Sequence, residues 1–407
     1  MFPDILPGTT FFPRFVFVFS AVVGAAMLLT AVLALFYRRF WYERFMRSTF
    51  ETNYRPRCAV VVPCKGIVKH FRKSVRAYLG MDYADYEVIF AVESETDPAA
   101  EVVREVIRDN PRARLVVAGL SDSCAQKNWN MLCAVRSAPD AEVYVFADGD
   151  IIPESGWLRE LVLPLSRSGI AATTGFRWLQ VARGGVAEQV HVCFNSFLYG
   201  IFCLASWIGS AGLWGGSMAI RRKDFERLGV ARRWSETAVD DLSLAELIME
   251  RKERSLFVPA CVTPTDDALR SVPKVFGWIE RQMMFLKMYH THLWSLAMPL
   301  VCGTVAVLIG GPVAALLSGG SWEKFVEYGG AGTLAFVALD LLSVSTYPLL
   351  GRMHRFGSLV LMLPLLRLIL LLSLMKTLFT NTITWSGVQY RIKVSTGTVK
   401  TLRRESS

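Results

Sequence analysis

Short apolar runs alternate with amphipathic ones between residues 57 and 257, and stretches of membrane length flank this region on both sides. "CAVVVP", "YEVIFAVE", "ARLVVAGL" and "EVYVFAD" are continuous apolar runs of strand length. Between them, "FRKSVRAYLG", "PAAEVVREVIRDN" and residues 126–137 place apolar positions at helical spacing. Runs of this kind separated by amphipathic helices predict an α/β domain with a mostly parallel sheet covered on both faces. Ligands of such sheets bind beyond the carboxyl ends of the strands. Glu93, Asp148 and Asp150 stand at those ends and are expected in one crevice.

Residues 15–37 are apolar for about 23 positions, which at about 1.5 Å per residue crosses a bilayer core. A single Arg14 precedes the run and "RRFWYERFMR" follows it, which predicts a signal anchor with the cytosolic side beginning at Arg38. Three more apolar stretches follow at 296–318, 333–350 and 359–379. Pro364 and Arg367 interrupt the last of these, so it is expected to lie in the interface or re-enter, leaving a basic tail in the cytosol. Residues 190–213 are apolar too, but a crossing there would put Asp148 and Asp241 on opposite sides; they are placed at the membrane surface. The expected organisation is a membrane anchor over 1–37, a cytosolic domain over 38–294, membrane helices over 295–380 and a tail over 381–407.

Composition agrees with a soluble domain joined to membrane segments: 52% of residues are hydrophobic and 20% charged. The net charge of +10 gathers beside the apolar runs, at Arg38, Arg39, Arg352, Arg355 and from Arg391 to Arg404. That placement fits a positive-inside bias and anionic lipid, and no basic-aromatic nucleic-acid motif accompanies it. The eight cysteines form no CxxC pair, which predicts reduced thiols rather than a metal knuckle.

The candidate chemistry is carried by acids. Asp148-Gly149-Asp150 follows a buried strand; turns favour Asp and Gly for backbone reasons, but the pair also suits a divalent cation shared with substrate phosphates. Asp240-Asp241 opens a helical run, where one acid suffices as a cap and a second is available as a general base. Lys127 and Asn130 open another helix, either solvated or facing phosphates. Trp278 and Arg281 lie three apart on one helical face, as a snorkelling arginine or as a partner for a departing diphosphate.

In this order these stretches resemble inverting glycosyltransferases of the GT-A fold, and more narrowly the ceramide glucosyltransferase-like family. "VVVPCKG", "ESETDPA", "QKNWNM", "GGSMAIRRKDF", "VDDLSLAELI" and above all "ITWSGVQYRI" carry the likeness over 57–392. The resemblance implies a hexose, glucose by default, moved from a UDP-sugar to the hydroxyl of a membrane lipid such as ceramide, with the catalytic domain facing the cytoplasm. It implies a nucleotide pocket of Pro63, Lys65, one acid among Glu93, Glu95 and Asp97, and Lys127. It implies Mg²⁺ or Mn²⁺ at Asp150 with Asp148, Asp241 as base, and Arg281 as the arginine of a QxxRW motif. Here that motif reads Trp278-Ile279-Glu280-Arg281-Gln282 and departs at both ends, which bears on the acceptor. Diacylglycerol, a hopanoid or polyprenyl phosphate are the other acceptors to weigh. A processive polysaccharide synthase needs more spanning helices than this chain offers, and a transporter has no need of a sheet with acids at its strand ends.

Overall fold

The computed structural model describes residues 11–49, 53–207, 209, 212–327, 330–345, 356–385, 387–394 and 396–404. The expected strands are present as β1 (Cys58–Pro63), β2 (Tyr86–Val92), β3 (Ala113–Val117) and β4 (Val143–Ala147). Three further strands extend the sheet, β5 (Ile170–Leu179), β6 (Ser217–Arg221) and β7 (Arg254–Thr265). The order is β3-β2-β1-β4-β6-β5-β7. All neighbours are parallel except β6, which is antiparallel to β4 and β5. This is the mostly parallel sheet that the apolar runs predict.

Alternation along the strands divides the core in two. Val60, Val62, Val88 and Phe90 face one helical layer; Val61, Ile89, Ala91 and Phe146 face the other. Strand order reverses between β1 and β4, and a crevice opens outside the carboxyl ends at such a point. Because β6 runs backwards, its first residue, Ser217, lies opposite Ala147 at the end of β4, with Gly215 and Gly216 at the same rim. The ends of β5 and β7 arrive there too, as Arg177 pairs in register with Thr263.

The apolar stretches are helices. Phe11–Phe36 leads through a π-helical turn, Tyr37–Trp41, into the domain. Among the described residues, three helical stretches are long and apolar enough to cross a membrane by length and composition: Val18–Met46, Val186–Trp207 and Thr291–Ser318. The middle one is 61% buried within the protein, against 28% and 22% for the others, so it packs as a core helix while they present apolar faces outward. The stretch expected at 333–350 is a helix over Gly330–Ser345, and 346–350 lie outside the described residues. Phe356–Leu378 is one helix through Pro364, packed on Val186–Trp207 and on Val272–Tyr289.

Residues beyond 381, expected as a tail, form an antiparallel sheet of β8 (Thr382–Trp385), β9 (Val388–Ile392) and β10 (Val399–Arg404). Ile383, Val388, Tyr390 and Ile392 bury their side chains with Ala238, Val239, Met284, Met288 and Tyr289 of the domain. The "ITWSGVQYRI" segment is thus part of the folded unit.

Candidate active site

Asp148 and Asp150 follow β4, and the turn is held from both sides. Asp148 donates its N–H to the Gly216 carbonyl at 3.2 Å, and Tyr78 Oη donates to the Asp148 carbonyl at 2.7 Å. Arg177, at the end of β5, spans the two acids. Its Nη1 donates to Asp150 Oδ2 at 2.9 Å, and its Nη2 to Asp148 Oδ2 at 3.2 Å and to Asp150 Oδ1. The guanidinium lies over the Trp214 ring at 5.4 Å.

Lys127 opens the helix Gln126–Arg136 and reaches the same place. Its Nζ is 3.1 Å from Asp148 Oδ1 and 3.1 Å from Asp240 Oδ2, and it donates to the Gly215 carbonyl at 3.3 Å. Asp240 and Asp241 begin the helix Asp240–Glu250, where the free N–H groups of the first turn favour negative charge. Asp240 is 2% exposed, so Lys127 is the counter-charge that permits its burial. Asp241 is half-buried and accepts from Gly215 N at 3.0 Å and Leu242 N at 2.7 Å.

These neighbours set the charges. Burial pushes the Asp241 carboxyl up and Asp240 adds to it; Lys127 and the two backbone donors oppose, leaving it at about 7. Burial would raise Asp148 as well, but Lys127 and Arg177 outweigh it and hold that carboxyl below its ordinary value. Lys127 and Arg177 keep their charges firmly, because the surrounding aspartates more than offset their burial. Asp267, just beyond β7, is raised by burial and by Asp150, against the pull of Arg177.

The sequence-derived nucleotide residues divide. Lys65, two residues past Pro63 at the end of β1, is 3.6 Å from Glu93 at the end of β2. Asp97 caps the helix Pro98–Ile107 through Ala99 N at 2.8 Å and ties in Gly66 N at 2.9 Å. Glu95 is 74% exposed and pairs outward with Arg104 at 2.8 Å, so it stands apart from Lys65 and Glu93. Arg281 sits in Val272–Tyr289, half-buried, its guanidinium weakened by that burial. The same helix sets Trp278 edge-on to the buried His191 at 4.6 Å, and Glu280 pairs with Lys376 at 2.8 Å.

The crevice expected from the sequence held Glu93, Asp148 and Asp150; the structure joins Asp148 and Asp150 through Arg177, adds Lys127 beside Asp148, and pairs Glu93 with Lys65. The sequence reading missed Arg177 and Asp267. Arg177 had one signal, a charge at the end of "IAATTGFR", a run otherwise small or apolar.

Asp148 and Asp150 converge on a single cationic group, and this geometry fits a shared divalent ion. Among the described residues no three His, Cys, Asp or Glu side chains gather to hold a metal alone. An ion there would need oxygens from a ligand, as Mg²⁺ takes from phosphates.

The model of glycosyl transferase family 21 matches residues 24–398. Ceramide glucosyltransferase 1 of Caenorhabditis elegans is 21% identical over 234 residues, 57% of this chain and 50% of its own length. Ceramide glucosyltransferase 3 of the same organism is 26% identical over 162 residues, 39% of this chain and 33% of its own. The chain thus spans half or less of the curated relatives it matches. Among solved structures, the mannosyltransferase PcManGT from Pyrobaculum calidifontis, in complex with GDP-Man and Mn²⁺, superposes with a TM-score of 0.50 at 18% identity. That likeness covers 80% of this chain and 99% of the other, and it shows a shared fold.

Proposed function

The chain belongs to glycosyl transferase family 21, and on that premise we propose that it is a membrane-bound inverting glycosyltransferase. It moves glucose from UDP-glucose to the hydroxyl of a membrane lipid such as ceramide, on the cytoplasmic side. One observation carries the reading: two carboxylates bridged by Arg177 and a third, Asp241, meet at a rim built from Gly215 and Gly216.

Lys65 and Glu93 border the nucleotide, with Pro63 at the strand end. Asp150 and Asp148 would hold Mg²⁺ or Mn²⁺, which would neutralise charge on the diphosphate. Lys127 stays charged beside Asp148, and Arg281 meets the departing diphosphate from the neighbouring helix. Asp241 takes the proton of the acceptor hydroxyl. A carboxylate poised near neutrality suits that task, since it is largely ionised at working pH yet basic enough to accept a proton. Base and leaving group on opposite faces of the sugar give a single displacement with inversion. The acceptor enters from the apolar helices that adjoin the crevice wall through Val186–Trp207 and Val272–Tyr289.

The test is a transfer assay on detergent-purified protein with Mn²⁺ or Mg²⁺ and labelled UDP-glucose. Ceramide, diacylglycerol and polyprenyl phosphate are offered in parallel. Labelled glucosylceramide is expected, and Asp241→Asn should cut turnover by roughly 10²- to 10⁴-fold while UDP affinity holds. Label in another lipid would keep the reaction and replace the acceptor. Full turnover in Asp241→Asn would sink the base assignment.

A further inference from the structure

All four oxygens of the Asp148–Asp150 pair already face cations of the chain itself. Lys127 takes Asp148 Oδ1, and Arg177 takes Asp148 Oδ2 and both oxygens of Asp150. These are the oxygens a hard divalent ion needs. The Arg177 backbone is fixed, since its carbonyl accepts from Asn195 Nδ2 at 3.0 Å and β5 is held by β7. The side chain is long, 21% exposed, and has the Trp214 face beside it as a second support. Its guanidinium is therefore the part that can exchange partners, and its fork suits phosphate oxygens as well as carboxylates.

We propose that Arg177 is the resting counter-ion of this crevice: it holds Asp148 and Asp150 until a divalent cation arrives with a nucleoside diphosphate, and then turns to the diphosphate. The inference rests on the reading of a metal-dependent nucleotide-sugar site given above. A cation arriving alone takes both paired carboxylates from the guanidinium and leaves it only the weaker attraction of Asp267. A cation arriving with a diphosphate brings a new anion for it. Metal and nucleotide therefore tighten each other's binding, by the same factor in both directions.

Mn²⁺ binding to the full-length protein in detergent, followed by electron paramagnetic resonance with and without UDP, tests this without turnover. The wild type should bind Mn²⁺ weakly alone and roughly tenfold to a hundredfold more tightly with UDP. Arg177→Met should bind Mn²⁺ alone about tenfold more tightly than the wild type, and UDP should then add less than it adds in the wild type, the remainder coming from its phosphate oxygens on the ion. Arg177→Lys keeps the charge without the fork and should fall between. If Arg177→Met lowers the melting temperature, Mn²⁺ alone should raise it more than it does in the wild type. Equal or weaker Mn²⁺ binding by Arg177→Met, with the UDP effect intact, would overturn the proposal while leaving the functional reading standing. No Mn²⁺ binding by the wild type even with UDP would overturn both. Asp150→Asn should abolish binding in every background.

Discussion

Asp240 and Asp241 are neighbours in sequence with different surroundings. Asp240 is enclosed and ion-paired with Lys127, whereas Asp241 is half-buried and accepts from the backbone N–H groups of Gly215 and Leu242. Burial first and Asp240 second push Asp241 to about 7. A base acts when deprotonated, so kcat should fall as pH drops through about 7. Asp240→Asn removes the like charge and should move that acid limb to lower pH. A limb at about 4, the ordinary carboxylate range, would contradict the assignment of Asp241 as base. The glycines show how far single residues were legible. Gly149 invites reading as the point of close approach, yet a Cβ there meets Phe71 and Cys64 at 3.4 and 3.7 Å. At Gly215 and Gly216 a Cβ would overlap Asp240 and the Trp214 ring. The acids themselves were legible because they end apolar runs. The close approach was not, because it depends on β6 running backwards beside β4.

At the scale of elements, the C-terminal sheet braces the segment that leads into the Asp240–Glu250 helix. Tyr289 Oη accepts from Ala238 N at 3.2 Å and donates to the Gly397 carbonyl at 3.1 Å. Val399 N donates to the Glu236 carbonyl at 2.9 Å, and Ala125 N to the Thr237 carbonyl at 3.1 Å. The brace thus joins the helices that bear Lys127, Asp241 and Arg281. Tyr289→Phe leaves the buried Ala238 N–H without its acceptor, at a cost of about 1–3 kcal/mol. A lower melting temperature and a reduced kcat with unchanged UDP affinity are expected. An unchanged melt and kcat would remove the brace from the account. The first four strands and their helices could be read from the sequence because apolar runs announce them. The strand β5 could not, since Thr173 and Thr174 are fully buried with their hydroxyls bonded to the Leu161 and Ser217 carbonyls. The docked C-terminal sheet was equally hidden, because its partners lie more than a hundred residues away.

Across the whole molecule, the first helix is tied to the α/β sheet region. Tyr37 is fully buried, and its hydroxyl meets the Phe257 carbonyl of β7 at 2.6 Å and Ser206 Oγ at 2.8 Å. Phe36 packs on Trp207 at a ring distance of 5.3 Å. A fixed joint of this kind suits the proposed lipid acceptor, because it holds the first helix and the crevice in one rigid relation. Cys302, in the helix Thr291–Ser318, is exposed on the protein surface. In intact membranes a membrane-impermeant maleimide should leave it unlabelled, and labelling should follow denaturation in SDS; ready labelling in intact membranes would place that helix in water. The claim on which everything turns is a single displacement with Asp241 as base. Nuclear magnetic resonance of the anomeric proton in the first glycolipid product tests it most directly. From α-linked UDP-glucose the account predicts a β-linked product, formed roughly 10²- to 10⁴-fold more slowly by Asp241→Asn; an α-linked product would contradict it.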